Sequence, residues 1–173
     1  MNRILALVDA VSHWTGNIVA FLIPAMMLIT TYEVVMRYFF NAPTIWAMET
    51  TQYLFLATTA LGGAYVLLHR GHVNVSIIYD KLDRKKHAIV DIVTFFFFFA
   101  FIATLLWHTL DATLEAVKDR QHSASFWGPP VYPVYIVMTA GIVLMGLQGI
   151  AMFIRNVMLL VGIPVEGGPD LPE

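Results

Sequence analysis

Few residues in this 173-residue chain could do chemistry, and their spacing limits what that chemistry is. Glu49, Gln52 and Tyr53 stand at i, i+3 and i+4, so any helix that holds them shows them on one face. A carboxylate entering an apolar run marks either an intramembrane proton site or a polar contact between subunits. Glu33 and Arg37 stand four apart with the acid first, the favourable order for a helical ion pair. Farther on, His108, Asp111, Glu115 and His122 recur at spacings of 3, 4 and 7. His13, His69, His72 and His87 invite comparison with haem-binding membrane helices, which need two facing histidines at one depth. There is no HExxH, P-loop or GxSxG pattern. The chain has no cysteine, which excludes disulfides, thiolate ligands and a cysteine nucleophile. The expectation is therefore no catalytic residue, no metal and no cofactor.

The elements that must position these residues are written in the composition. Hydrophobic residues make up 58% of the chain and charged residues 13%, against about 25% charged in an ordinary globular domain. Mean hydropathy is +0.71. A spanning helix needs about 20 mostly apolar residues. Four runs qualify: Trp14–Met36, Thr50–His69, Ala88–His108 with helical spacing continuing to about residue 120, and Val131–Ile154. The fold class expected is an all-α integral membrane protein with four transmembrane helices. Residues 1–161 form one membrane domain, and 162–173, acidic and rich in Gly and Pro, form a disordered cytoplasmic tail. The first run is too long for a signal peptide and lacks a small-x-small cleavage site. A net charge of −2 gives no basic surface for nucleic acid.

Lys and Arg mark cytoplasmic loops. With both termini inside, seven positive residues lie in the cytoplasm: Arg3, Arg70, Lys81, Arg84, Lys85, Lys86 and Arg155. Three, Arg37, Lys118 and Arg120, lie outside. An N-in, C-in topology follows. Weak Lys/Arg bias characterises the dual-orientation subset of small proton-coupled exporters, and this bias argues against that subset. No internal duplication suggests a self-contained transport path either.

Along the chain, Asn41, Pro43 and Thr44 break the first helix, because the residue before a proline leaves the α region. Thr44 is expected to cap the next helix, which begins near Ile45 as a short helical lead-in before the second span. Trp46 suits headgroup depth. The pairs Thr58/Gly62, Thr59/Gly63 and Ala60/Ala64 mark the second helix as closely packed. Val75, Ile78, Tyr79 and Leu82 share a helical face, which predicts an amphipathic interfacial helix before the third span, with Arg84, Lys85 and Lys86 meeting lipid headgroups. Five phenylalanines at 95–99 read as lipid-facing and interhelical filler. A helix running from Ala88 to Arg120 would be about 50 Å long, so it must tilt or project from the outer face. Pro130 and Pro133 suit the first turn of the fourth helix, where Gly141, Gly146 and Gly149 give a second close-packing face beside Gln148.

Taken in order, Arg37-Tyr38-Phe39, Trp46, Glu49, Gly62-Gly63-Ala64, Arg70-Gly71-His72-Val73-Asn74-Val75, the proline-rich start of the fourth helix and Leu147-Gln148 resemble the small membrane subunit, DctQ type, of tripartite ATP-independent periplasmic (TRAP) transporters. The resemblance covers about Arg3 to Arg155. It implies a non-catalytic scaffold in a bacterial inner membrane. This scaffold would brace a large permease subunit that carries the substrate and sodium sites. A periplasmic binding protein would deliver an organic acid, and the small subunit would have a share in docking it. The rival readings are a haem-carrying membrane anchor and a small self-sufficient exporter. The contact residues expected on these grounds are Glu33, Arg37, Trp46, Glu49, Gln52, Gly62, Gly63, Arg70, His72, Asp111, Glu115, Gly141 and Gln148. Arg37, Trp46, Glu49 and Gln52 are expected to cluster at the outer boundary, with Glu33–Arg37 or Arg37–Glu49 as an ion pair. The end of the third helix, Asp111 to Arg120, is the expected periplasmic contact.

Overall fold

The computed structural model describes residues 2–69 and 84–161. Four helices account for nearly all of them: α1 Asn2–Tyr38, α2 Ala47–Leu68, α3 Arg84–Lys118 and α4 Tyr132–Val161. Each is long and apolar enough to cross a membrane, over Leu5–Tyr38, Ala47–Leu68, Thr94–Lys118 and Tyr132–Met158. Only α2, with 22 residues, or about 33 Å, matches the ~30 Å hydrocarbon core. The others overshoot it.

α1 starts well before Trp14, at Asn2, and carries Pro24 inside it. Polar residues of its first turns, which an apolar-window reading leaves outside, are paired across the bundle. No separate lead-in helix precedes α2: residues 39–46 are a turn and bends. Asn41 takes a left-handed φ of 49°, which its short polar side chain tolerates, and the Ala42 amide donates to the Met36 carbonyl at 3.0 Å. Thr44 does not cap α2. Trp46 occupies that position with no side-chain capping bond, because the Thr44 hydroxyl is engaged by Glu33. The expected amphipathic helix, the contact candidates Arg70 and His72, and the tail at 162–173 lie outside the described residues.

The helices run up and down, and α2 packs between α1 and α4 while α3 packs on α4. α1 touches α4 more lightly. The result is an open array, with most of each helix surface left for lipid or a partner. Phe21, Phe55, Phe96, Phe97 and Trp107 are all broadly exposed. Close approach is bought by small residues, as lipid provides no hydrophobic drive between helices. Ala64 is fully buried, Gly62 faces Val19 of α1, and Gly63 faces Met145 of α4. The three glycines of α4 do not form one face. Gly141 abuts the Ala60 backbone of α2, whereas Gly146 and Gly149 receive Ile102 and Phe98 of α3. The phenylalanine run divides likewise: Phe95 packs edge-on against Phe153 of α4, and Phe96 and Phe97 point away.

A threonine clasp holds α3 to α4. Thr113 Oγ1 donates to the Thr109 carbonyl at 2.7 Å and lies 2.7 Å from Thr139 Oγ1. It also lies 3.2 Å from the Tyr135 carbonyl. This register sets the end of α3 level with the start of α4, so α3 does not project beyond it. Its last turn closes with Gln121 N–H on the Ala116 carbonyl and Arg120 N–H on the Val117 carbonyl, with Arg120 left-handed at φ 46°.

Candidate functional site

Polar side chains gather at the two ends of the array, and each gathering ties helices together. At the end carrying the two short connections, Glu33 is the hub. Its Oε1 accepts from Arg37 Nε (3.0 Å) and Nη2 (2.6 Å), and its Oε2 accepts from the Thr44 amide (3.0 Å) and hydroxyl. One buried carboxylate thus joins the last turn of α1 to the link that leads into α2. Arg37 pairs with Glu33 and not with Glu49.

Glu49 turns elsewhere. Its carboxylate accepts from the hydroxyls of Ser123 and Ser125 (2.8 Å to the latter), 74 and 76 residues away. These serines belong to a small hairpin between α3 and α4. The Ser123 amide donates to the Pro129 carbonyl at 2.9 Å, and the Val131 amide to the Gln121 carbonyl at 3.0 Å. Gly128 turns the chain at φ 59°, and Phe126 stands fully exposed at the tip. The expected cluster of Arg37, Trp46, Glu49 and Gln52 is therefore not formed. Trp46 stacks with Tyr32 at 6.0 Å. Gln52 is exposed on an open groove between α1 and α2 that Ile23, Met27, Thr31 and Phe55 line. Sequence nearness suggested Arg37 as the partner of Glu49; no sequence signal pointed to the two serines.

Replacing Glu49 with alanine should release the hairpin while leaving the bundle folded. Amide exchange across 121–128 is expected to rise about tenfold, the loss of roughly 1.4 kcal/mol of local protection, with helix amides unchanged. Unchanged exchange in the hairpin would show that Glu49 does not hold it.

At the opposite end, near the N-terminus, lies a buried polar network. Gln148, 1% exposed, accepts from Ser12 Oγ (2.9 Å) and donates from Nε2 to Asp9 Oδ1 (3.0 Å). Asp9 Oδ2 pairs with Arg155 Nη2, and Asn156 is buried beside Arg155 in sequence. Gln148 was a contact candidate; Asp9, Ser12 and Arg155 were not. The readable signal was the seven-residue spacing of Gln148 and Arg155, which puts both on one helix face. Close by, the rings of His13 and His69 lie 6.1 Å apart with Tyr65 5.8 Å and 4.2 Å from them. The Tyr65 ring also covers Gly16, where a Cβ would collide with it. The Tyr65 ring thus stands at the side of the gap between the two imidazoles, where part of a haem ring would have to lie. Among the described residues no three His, Asp or Glu side chains converge as a metal site.

Asp111 and Glu115 lie on the exposed side of α3, apart from either network. Among the described residues the polar side chains form clasps between segments and no metal-binding group of His, Asp or Glu.

Residues 26–158, more than three quarters of the chain, match the DctQ component of tripartite ATP-independent periplasmic transporters. Among curated proteins, the chain is 28% identical over 92 residues to a C4-dicarboxylate TRAP transporter small permease protein of Vibrio cholerae, covering 51% of this chain and 38% of the relative. It is 30% identical over 64 residues to a sialic acid TRAP transporter small permease protein of the same species, 37% of each chain. It is 25% identical over 130 residues to the isethionate TRAP transporter permease protein DctMQ of Oleidesulfovibrio alaskensis, 72% of this chain and 20% of that longer protein. The matched stretches thus span well under two thirds of the relatives' own lengths. The family match carries the assignment: the chain, with four helices of spanning length among its described residues, belongs to the DctQ component family of TRAP transporters, a family of transporter subunits and not of enzymes.

Proposed function

We propose that this chain is the small scaffold subunit of a sodium-driven organic-acid importer in a bacterial inner membrane. It braces a large permease subunit, with which it forms a heterodimer, and lipids cover the faces the partner leaves. The observation that carries this reading is the open array. Helix α3 packs chiefly on α4, and wide apolar faces of α1, α2 and α3 remain uncovered among the described residues. The carboxylates of Glu33 and Asp9 are each consumed in a clasp between segments of the array, so neither is left free as a substrate or ion site.

This reading puts both termini in the cytoplasm, on the strength of the Lys/Arg bias. Arg155 is held in the buried network, so it no longer counts as a loop charge, and the Lys/Arg bias is then six to three. The substrate is a carboxylate or sulfonate, in keeping with relatives named for C4-dicarboxylate, sialic acid and isethionate. A share in docking a periplasmic binding protein falls to the hairpin at 121–131, which presents Phe126. This replaces the end of α3 as the periplasmic contact, because α3 stops level with the start of α4.

The test is co-expression with the large permease subunit, followed by reconstitution in liposomes with the binding protein. Sodium-gradient-driven uptake should require both membrane subunits, and this chain alone should move nothing. Uptake by this chain alone, or failure of the two subunits to co-purify, would overturn the reading.

A further inference from the structure

The side of α3 turned away from α4 carries ionisable groups that nothing among the described residues accounts for. Toward α4, α3 buries Phe95, Ile102, Thr109, Thr113 and Ala116. Roughly 140° around the helix, at 100° per residue, a second stripe alternates in steps of three and four: Phe101, Thr104, His108, Asp111 and Glu115. All five are exposed. The side chains of His108, Asp111 and Glu115 make no hydrogen bond or ion pair to any described residue.

Their depth is fixed by the threonine clasp. Thr113 meets Tyr135 and Thr139, so His108 and Asp111 stand beside the second and third turns of α4. All three lie within the span Thr94–Lys118. Hydrocarbon is a poor neighbour for them, since ionisable side chains at such depth face protein or a water-filled cavity. Asp111 and Glu115 are also like charges at i, i+4, an arrangement that weakens an isolated helix. A cation laid against both offsets that repulsion and supplies the missing partner.

We infer that the large permease subunit docks a transmembrane helix on this stripe and presents a basic side chain to Asp111 and Glu115. The inference rests on the scaffold reading and deepens it by naming the face and its chemistry. The longer DctMQ relative supports the choice of occupant, because there the matched segment takes up only a fifth of a single permease chain.

The chain has no cysteine, so single thiols can be placed at will. Thr104→Cys and His108→Cys report from the stripe, with Phe21→Cys on α1 and Val143→Cys on α4 as comparisons. Each carries a photoactivatable label in membranes that contain the large subunit. The stripe positions should crosslink to that subunit several-fold more than the comparison positions. Adducts only to lipid, to a second copy of this chain or to the binding protein would overturn the assignment. So would large-subunit adducts arising equally from α1.

The charge claim has its own readout. The double variant Asp111→Asn/Glu115→Gln should lose about tenfold in recovery of the large subunit on co-purification, about 1.4 kcal/mol in the equilibrium. The variant alone should keep wild-type helicity and monodispersity, since neither side chain forms a hydrogen bond or ion pair with any described residue. Undiminished recovery would refute the basic partner. If the unmodified chain itself fails to retain the large subunit, the scaffold reading fails first; if it does retain it while the stripe does not crosslink, only this inference fails.

Discussion

Gly141→Ala is expected to destabilise the fold by about 1–3 kcal/mol, the cost typical of overpacking, and Gly141→Leu to prevent α2 from docking on α4. A Cβ at Gly141 would lie 2.5 Å from the Ala60 carbonyl oxygen and 2.6 Å from its carbon. These are backbone atoms, so no rotamer change relieves the clash, and α2 as a whole must back away. The neighbouring glycines of α2 provide the contrast. At Gly62 the nearest atom is Val19 Cγ1 at 3.7 Å, ordinary contact. Alanine there also gains up to ~1 kcal/mol of helix propensity. At Gly63 the Met145 sulfur at 3.1 Å belongs to a flexible side chain that can move. Thermal unfolding in detergent should therefore rank Gly141→Ala well below Gly63→Ala, and Gly62→Ala at or above wild type. Equal effects at Gly141 and Gly62 would show that the α2–α4 register is different.

That contrast also shows what a sequence can and cannot reveal about such a protein. The number of helices was legible because each has an apolar run of spanning length. The small-residue pairs of α2 were legible as a packing signal. Which helix each glycine would meet was not, since it depends on the rotation and offset of two helices that no local pattern encodes. The start of α1 was misplaced for a related reason. Asp9 and Ser12 look like residues outside a membrane span until Arg155 and Gln148, some 140 residues away, are seen to satisfy them. Thr44 was expected as a cap on sound local grounds, but its hydroxyl has a stronger acceptor in the Glu33 carboxylate. Glu49 was recognised as a contact residue, whereas its actual partners lie in a hairpin whose shape depends on Gly128 and Pro129. In each case local chemistry identified the group, and tertiary geometry chose its partner.

The buried network on α1 and α4 should give the other large effect. Arg155→Leu removes the charge that faces Asp9 and leaves a carboxylate held only by the Gln148 amide. Breaking a buried pair from one side costs about 3–5 kcal/mol, because the remaining charge stays desolvated. Nearly all of the Arg155 side chain is buried, with 10% exposed, and Asp9 retains 21%; the lower figure, about 3 kcal/mol, is therefore the expected one. The double variant Asp9→Leu/Arg155→Leu should be more stable than Arg155→Leu alone, since it removes the stranded charge as well. A coupling energy above 1 kcal/mol in the double-mutant cycle is the expected signature of direct contact. Gln148→Leu should behave differently. It abandons Ser12 and one oxygen of Asp9 but leaves the ion pair, so its cost should be about 1–3 kcal/mol. If Arg155→Leu and the double variant unfold together, Asp9 has another partner, and α1 is not held to α4 by this pair.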